Sequence, residues 1–369
     1  MQNNIIILAL MTLLALPSTA QIDLHSHAVK QSYIDYIKAN GAEMDEGFPI
    51  PSWDAEKHIA FMDKAGIQTA VLTMPAPQPF FGDATASAAV CRKYNEECAA
   101  LKARYPGRFM FCAALPLPDV PHALEEARYA LEVLGADGIK LATNSYGQYL
   151  GDPALDTLMA YLDAQKAVVI LHPHKPSAVN AQLIADVPLA SYEYLAETSR
   201  AILNMIAHNV LVCYPNLKVV VPHCGSFLPN ALPRFRSLLP VMVKQGIMQP
   251  VDVDANLSHL YYDLAGAPTD DVLDALLTIT TPDISSTAAT TLTWPSRCSS
   301  AASRPWRGVS PRTDWTRRTS SPTTPAGCSV RTCHFAPMAS ASSVSQKSRW
   351  CRNFWKSIWL TPRKSGKPR

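Results

Sequence analysis

The feature that most constrains this chain is an alternation that stops. Between Gln21 and Asp283 short, nearly continuous apolar runs alternate with helix-period segments. The runs are IDLHSH (Ile22–His27), TAVLTM (Thr69–Met74), RFMFCAAL (Arg108–Leu115), GIKLAT (Gly138–Thr143), AVVILHPH (Ala167–His174), KVVVPHC (Lys218–Cys224) and LYYDLAG (Leu260–Gly266). Between them lie helical patterns over Ala55–Ala65, Ala84–Tyr105, His122–Leu134, Ala154–Asp163, Tyr192–Val212 and Asp270–Leu277. Apolar strands alternating with helices predict an α/β fold, a parallel sheet covered by helices on its outer face. Seven β-then-α units are one short of a closed (β/α)8 TIM barrel, and an open barrel would carry a long unpaired edge. The eighth strand is expected near Asp283, where the alternation ends.

Composition changes at the same place. Ile284 to Arg369 hold fifteen Lys and Arg against one acid, Asp314, so this tail carries +14 and the first 283 residues carry −11. Six of the seven Trp also fall in the tail. A basic, aromatic-studded arm is one sequence pattern for nucleic-acid binding. At the other end, an apolar run from Ile5 to Leu16 precedes Pro17 and the small residues Ser18-Thr19-Ala20. That is the pattern of a secretory signal peptide over residues 1–20, too short to span a bilayer, although no Lys or Arg precedes it. It predicts an exported protein, periplasmic or secreted, with no membrane association after cleavage; an extra N-terminal strand is the alternative. The nine Cys show no metal or disulfide spacing.

The chemistry sits at the C-terminal ends of the strands, where barrel enzymes build their sites. His25 and His27, at i and i+2 of an extended strand, point to one face and can reach one metal ion. LHPH adds His172, with His174 past Pro173 placed instead on the surface or behind the ligands. PHCG adds His223. Imidazole is the usual ligand of a catalytic divalent metal. Lys140 on the fourth strand reads as an interior lysine or as a carboxylated bridge between two metals; Asp263 reads as a hydrogen-bonded structural group rather than a ligand. Trp53, Phe80, Phe81, Tyr146 and Tyr149 are candidates to wall an apolar pocket or simply to pack. His58, His122, His208 and His259 read as ordinary.

The stretches IDLHSHAV, PSWDAEKHIAFMDKAGIQTAVLTM, YPGRFMFCAALPLPD, LGADGIKLATN and YPNLKVVVPHCGSFLP, in this order, resemble the amidohydrolase superfamily. The similarity lies with the branch of aminocarboxymuconate-semialdehyde, methylsalicylate and resorcylate decarboxylases. That resemblance implies a metal-dependent hydrolase-type barrel with His25, His27 and His172 on a divalent metal, zinc by expectation. His223 is then the acid/base residue, and the substrate a small aromatic or unsaturated carboxylic acid; a homodimer is compatible. A metal-dependent amidohydrolase or lactonase is the alternative activity. The family's fourth ligand, an Asp in a GSDYP-like segment on the eighth strand, has no counterpart as written.

Back-translation supplies one. Ile284–Thr293 can be encoded ATA TCC TCT ACG GCA GCG ACT ACC CTT ACG; one added C in front converts this to a reading of HILYGSDYPY, its aspartate codon straddling Ala289 and Thr290. The same shift turns TSSPTTPAGCSV (Thr319–Val330) into LFADNARRLFG, similar to the family's closing helix. The sequence therefore divides into a signal peptide (1–20), a barrel body of seven βα units (21–283), and a frameshifted, aberrant tail (284–369) whose charge is a by-product of codon composition. On this reading no nucleic-acid partner is expected, the tail is disordered, and the chain as written is an impaired or inactive product.

Overall fold

The computed structural model describes residues 21–42, 44–176, 187–281 and 285–286. The proposed signal peptide and nearly all of the proposed tail lie outside the described residues. Eight strands form one sheet in sequential order: β1 (Gln21–His27), β2 (Ile67–Thr73), β3 (Phe109–Ala114), β4 (Gly138–Ala142), β5 (Val168–His172), β6 (Lys218–Val221), β7 (Leu260–Asp263) and β8 (Ser285–Ser286). Every neighbouring pair is parallel. The first seven match the seven apolar runs of the sequence.

Connections run through α1 (Gln31–Ala39), α2 (Ala55–Ala65), α3 (Ala84–Arg104), α4 (Val120–Arg128), α5 (Asp156–Ala164), α6 (Glu193–Ala207), α7 (Leu228–Lys244) and α8 (Asp270–Leu276). None is long and apolar enough to cross a membrane. Local chemistry sets several boundaries. Asp54, Asp83 and Asp119 each accept a hydrogen bond from a first-turn backbone N–H of α2, α3 and α4, satisfying donors that a helix start leaves unpaired. Gly66 ends α2 in the left-handed region, at φ 73°.

Two expectations need correction. The helix expected over His122–Leu134 starts at Val120, and its last turn, Tyr129–Val133, is π-helical. The eighth strand is not wholly lost: Ser285 and Ser286 pair in parallel with Tyr262 and Asp263. Ladder bonds use backbone groups alone, so a Ser-Ser pair can hold a strand position with none of the apolar pattern that marks one in sequence.

Burial explains the cohesion of the body. β4 and β5 are buried along their whole length, and each Leu, Ile or Val so buried contributes roughly 1.5–3 kcal/mol relative to exposure. At Gly138 the two strands approach so closely that a Cβ would lie 2.5 Å from the Val168 carbonyl oxygen. Only glycine fits there.

On the outer face of β1, Ser26 Oγ pairs with His58 Nε2 of α2 at 3.2 Å, while Trp53 Nε1 donates to His58 Nδ1 at 3.2 Å. An indole N–H can only donate, so Nδ1 carries the lone pair and Nε2 the proton. Burial, with Arg108 nearby, pushes His58 down to about 4. Its folded pKa lies below its unfolded one, so its stabilisation is complete above the ordinary histidine range and is lost as pH falls toward 4. The difference corresponds to about 3 kcal/mol. Denaturant titrations at neutral and acid pH should show that His58→Gln removes a share of that size from the acid decline; an identical decline in both proteins would contradict the assignment.

Candidate metal centre

Alternation along β1 places Asp23, His25 and His27 on one face, and all three are buried. Across the sheet, β5 ends on His172, in register with Ala142 of β4. The strands bring these imidazoles together: ring centroids lie 4.6 Å apart for His27 and His172, and 5.2 Å for His25 to each. One ring nitrogen from each of the three lies within 4.8 Å of the others.

The partner of each Nδ1 settles which nitrogen faces inward. His172 Nδ1 lies 2.8 Å from the Pro173 carbonyl, which can only accept. Thr73 has a single hydroxyl proton and donates it to the Ser26 carbonyl at 3.0 Å; it must therefore accept from His27 Nδ1, also at 3.0 Å. His25 Nδ1 lies 2.8 Å from Asp263 Oδ2. All three rings carry their proton on Nδ1 and turn the Nε2 lone pair toward one point, as a divalent cation requires of its histidine ligands. The site fits a metal on geometry and on donor chemistry.

Electrostatics agree. Burial, reinforced by the neighbouring imidazoles and Lys140, holds His27 and His172 well below the ordinary histidine range. Burial also opposes charge on His25, but the Asp263 carboxylate outweighs it and raises that group. Asp23 is pushed up to about 7 by burial, despite accepting the His25 backbone N–H.

His223 stands beside the triad, its ring 5.0 Å from that of His25. It sits in a turn after β6 where His223, Cys224 and Ser226 all have positive φ, at 58°, 54° and 56°. Such conformations cost roughly 1–3 kcal/mol each for non-glycine residues and are kept where surrounding structure compels them. Here the compelling contact is the His223 backbone N–H, donated to Asp263 Oδ1 at 2.8 Å. Burial, then His25, depresses His223 to about 4, and its Nδ1 has no partner among the described residues. A neutral, unengaged imidazole beside the triad suits the acid/base role expected of it.

Residues outside the triad divide. Buried Lys140 shares the wall of a cavity with Met74, Gln78, Leu115 and Leu117 at the ends of β2, β3 and β4. His174 turns away from the triad and faces Glu46, whose other oxygen accepts the Lys175 N–H at 2.9 Å. Of the two readings open for the loop aromatics, packing is the one seen among the described residues. Trp53 packs on His58 and Phe109 behind the sheet, Phe81 on Tyr36, and Phe80 on Tyr146, whose hydroxyl donates to the Phe80 carbonyl. Tyr149 bonds to Glu197 and Arg200. These aromatics fasten loops to one another, while the cavity is lined by Met74, Leu115 and Leu117 with the polar Gln78 and Lys140. His122 and His208 bond within their own helices, and His259 is half-buried away from the triad.

Residues 22–283 match the amidohydrolase family. The chain belongs to that family. It is 33% identical over 267 residues to a decarboxylase of Aspergillus niger, covering 70% of this chain and 72% of the relative. It is 31% identical over 270 residues to the 6-methylsalicylic acid decarboxylase of Aspergillus aculeatus, covering 71% and 81%. Among solved structures, the 5-carboxyvanillate decarboxylase of Novosphingobium aromaticivorans, a D-to-N mutant with bound manganese, superimposes with a TM-score of 0.68 at 21% identity, over 75% of this chain and 88% of that one. At that identity the likeness speaks for the fold.

The family assignment and the inward Nε2 atoms make a simple prediction. Titration of metal-free protein with Zn²⁺ or Mn²⁺ should show one equivalent bound, and His27→Ala or His172→Ala should weaken binding by about 100-fold or more, since even a residue behind a ligand is worth about 10- to 100-fold. Unchanged affinity in both variants would remove the triad from the site.

Proposed function

We propose that the body of this chain is a metal-dependent, non-oxidative decarboxylase of small aromatic carboxylic acids, of the 6-methylsalicylate type. The observation that carries this reading is the convergence of three buried Nε2 atoms beside a neutral, unengaged His223, next to a cavity with one buried cation. Relatives of more than 30% identity are decarboxylases, two of them of 6-methylsalicylic acid, and this supports the same reaction over hydrolysis.

A divalent metal held by His25, His27 and His172 would supply Lewis acidity and a fixed point for substrate oxygens. Zinc suits an imidazole-rich set, whereas a structural neighbour holds manganese; reconstitution with each decides between them. The remaining work falls to side chains. Lys140 brings positive charge close to His27 and His172, and Met74, Leu115 and Leu117, which line a small cavity with it, give an apolar surface beside that charge. His223 starts neutral, and an anion beside it favours its protonated form. It can then deliver that proton to the ring carbon as the carbon–carboxylate bond breaks. The bond's electrons stay on the ring, so no oxidant is needed, and CO₂ leaves. Incubation in D₂O should give CO₂ and a product with one ring deuterium; uptake of solvent ¹⁸O into a carboxylate product would instead mark a hydrolase.

The tail belongs to this proposal. The family match ends at Asp283, directly before the segment whose shifted reading restores the aspartate-bearing eighth strand, and Ser285–Ser286 already occupy a place beside β7. A frame break there leaves the closed barrel and its fourth ligand incomplete. Adding one C before codon 284 should raise turnover by at least ~100-fold over the chain as written, the scale set by loss of a metal-site residue. Equal activity of the two proteins would contradict the frame break.

A further inference from the structure

Asp263 is a buried carboxylate whose two oxygens serve two different parts of the site. Oδ2 takes the His25 Nδ1 proton at 2.8 Å. Oδ1 accepts the backbone N–H groups of His223 at 2.8 Å and Ala265 at 3.1 Å. The residue ends β7, between β6, which carries the His223 turn, and β8. Its side chain is 0% exposed, so these three donors, rather than water, satisfy it.

We propose that Asp263 is a positioning residue that sets the tautomer of His25 and, through the same carboxylate, the place of His223, so that metal ligation and proton transfer share one anchor. The division of labour follows from donor and acceptor rules. A carboxylate only accepts, so His25 must place its proton on Nδ1 and keep Nε2 free for the metal. The His223 turn has two successive left-handed residues at its head, and the N–H that Oδ1 receives is the tie between that strained turn and β7. His27 and His172 are fixed by different acceptors, Thr73 and the Pro173 carbonyl. Asp263 alone among these acceptors touches both a ligand and the acid/base residue. This inference rests on the metal-binding half of the proposed function and on no particular reaction.

Asp263→Asn separates the two roles. The amide oxygen keeps the His223 and Ala265 N–H groups, while the amide nitrogen, a donor, faces His25. His25 must then accept at Nδ1 and present an Nε2 proton to the metal position. The expected result is a fall in Zn²⁺ or Mn²⁺ affinity of about 10- to 100-fold, measured by chelator competition, with little change in melting temperature. A second readout needs neither metal nor activity. Long-range ¹H–¹⁵N correlation of the metal-free protein, above the histidine titration range, should show His25 as the Nδ1–H tautomer in the parent and the Nε2–H tautomer in Asp263→Asn. A parent His25 in the Nε2–H form overturns the proposal even if the variant does not fold. So does an Asp263→Asn protein with parental tautomer and metal affinity. Should the parent bind no metal, the metal reading fails and the tautomer alone decides this one.

Discussion

Four imidazoles packed close together inside a parallel sheet form an arrangement in which added protons are costly. His25, His27, His172 and His223 are all largely screened from water, and in such a place each charge would raise the cost of the next. The crowding is tolerable in two ways: the rings stay neutral, or they share a single cation whose charge replaces the protons. Every feature around them serves that condition. Each of the three ligand-type rings has its Nδ1 proton taken up by an acceptor behind it. Of the two buried carboxylates here, Asp23 and Asp263, it is Asp263 that bonds to a ring and outweighs the burial of His25. A carbonyl, a hydroxyl and a carboxylate, each from a different piece of chain, thereby aim three lone pairs at one point.

The fold exists to make that meeting possible. β1 and β5 are not neighbours, and only a sheet that curves back on itself can bring His25 and His27 to His172. The body's strands are buried on both faces, which accounts for their nearly continuous apolar runs. The same burial opposes charge on all four rings, and at His25 alone a carboxylate, Asp263, outweighs it.

Much of this was legible in sequence, and the part that was not shares a reason. His25, His27, His172 and His223 were visible because two follow strand periodicity and the other two end apolar runs. The helices over Ala55–Ala65 and Ala84–Tyr105 were visible from their helical apolar spacing, the second ending one residue earlier, at Arg104. Asp263 could be read as a hydrogen-bonded structural group, and it is one, but neither it nor Thr73 showed locally which histidine it holds. A threonine closing one strand and an aspartate closing another acquire meaning only when strands far apart in sequence are set side by side. Glu46 likewise reaches His174 from a distant part of the chain. α7 hid for a different reason, with Pro233 and Pro240 inside it, residues that argue against a helix locally. The loop aromatics stayed open between pocket wall and packing because they look alike in sequence whether they face a substrate or another loop.

The central claim is that His25, His27 and His172 present their Nε2 atoms to one metal ion. Anomalous diffraction from metal-soaked crystals of the frame-restored protein, collected at the metal's absorption edge, tests it most directly. The account predicts one strong peak at coordinating distance, roughly 2.0–2.3 Å, from all three Nε2 atoms, with the Nδ1 contacts to Asp263, Thr73 and Pro173 intact. A peak elsewhere, or one approached through Nδ1, would contradict it.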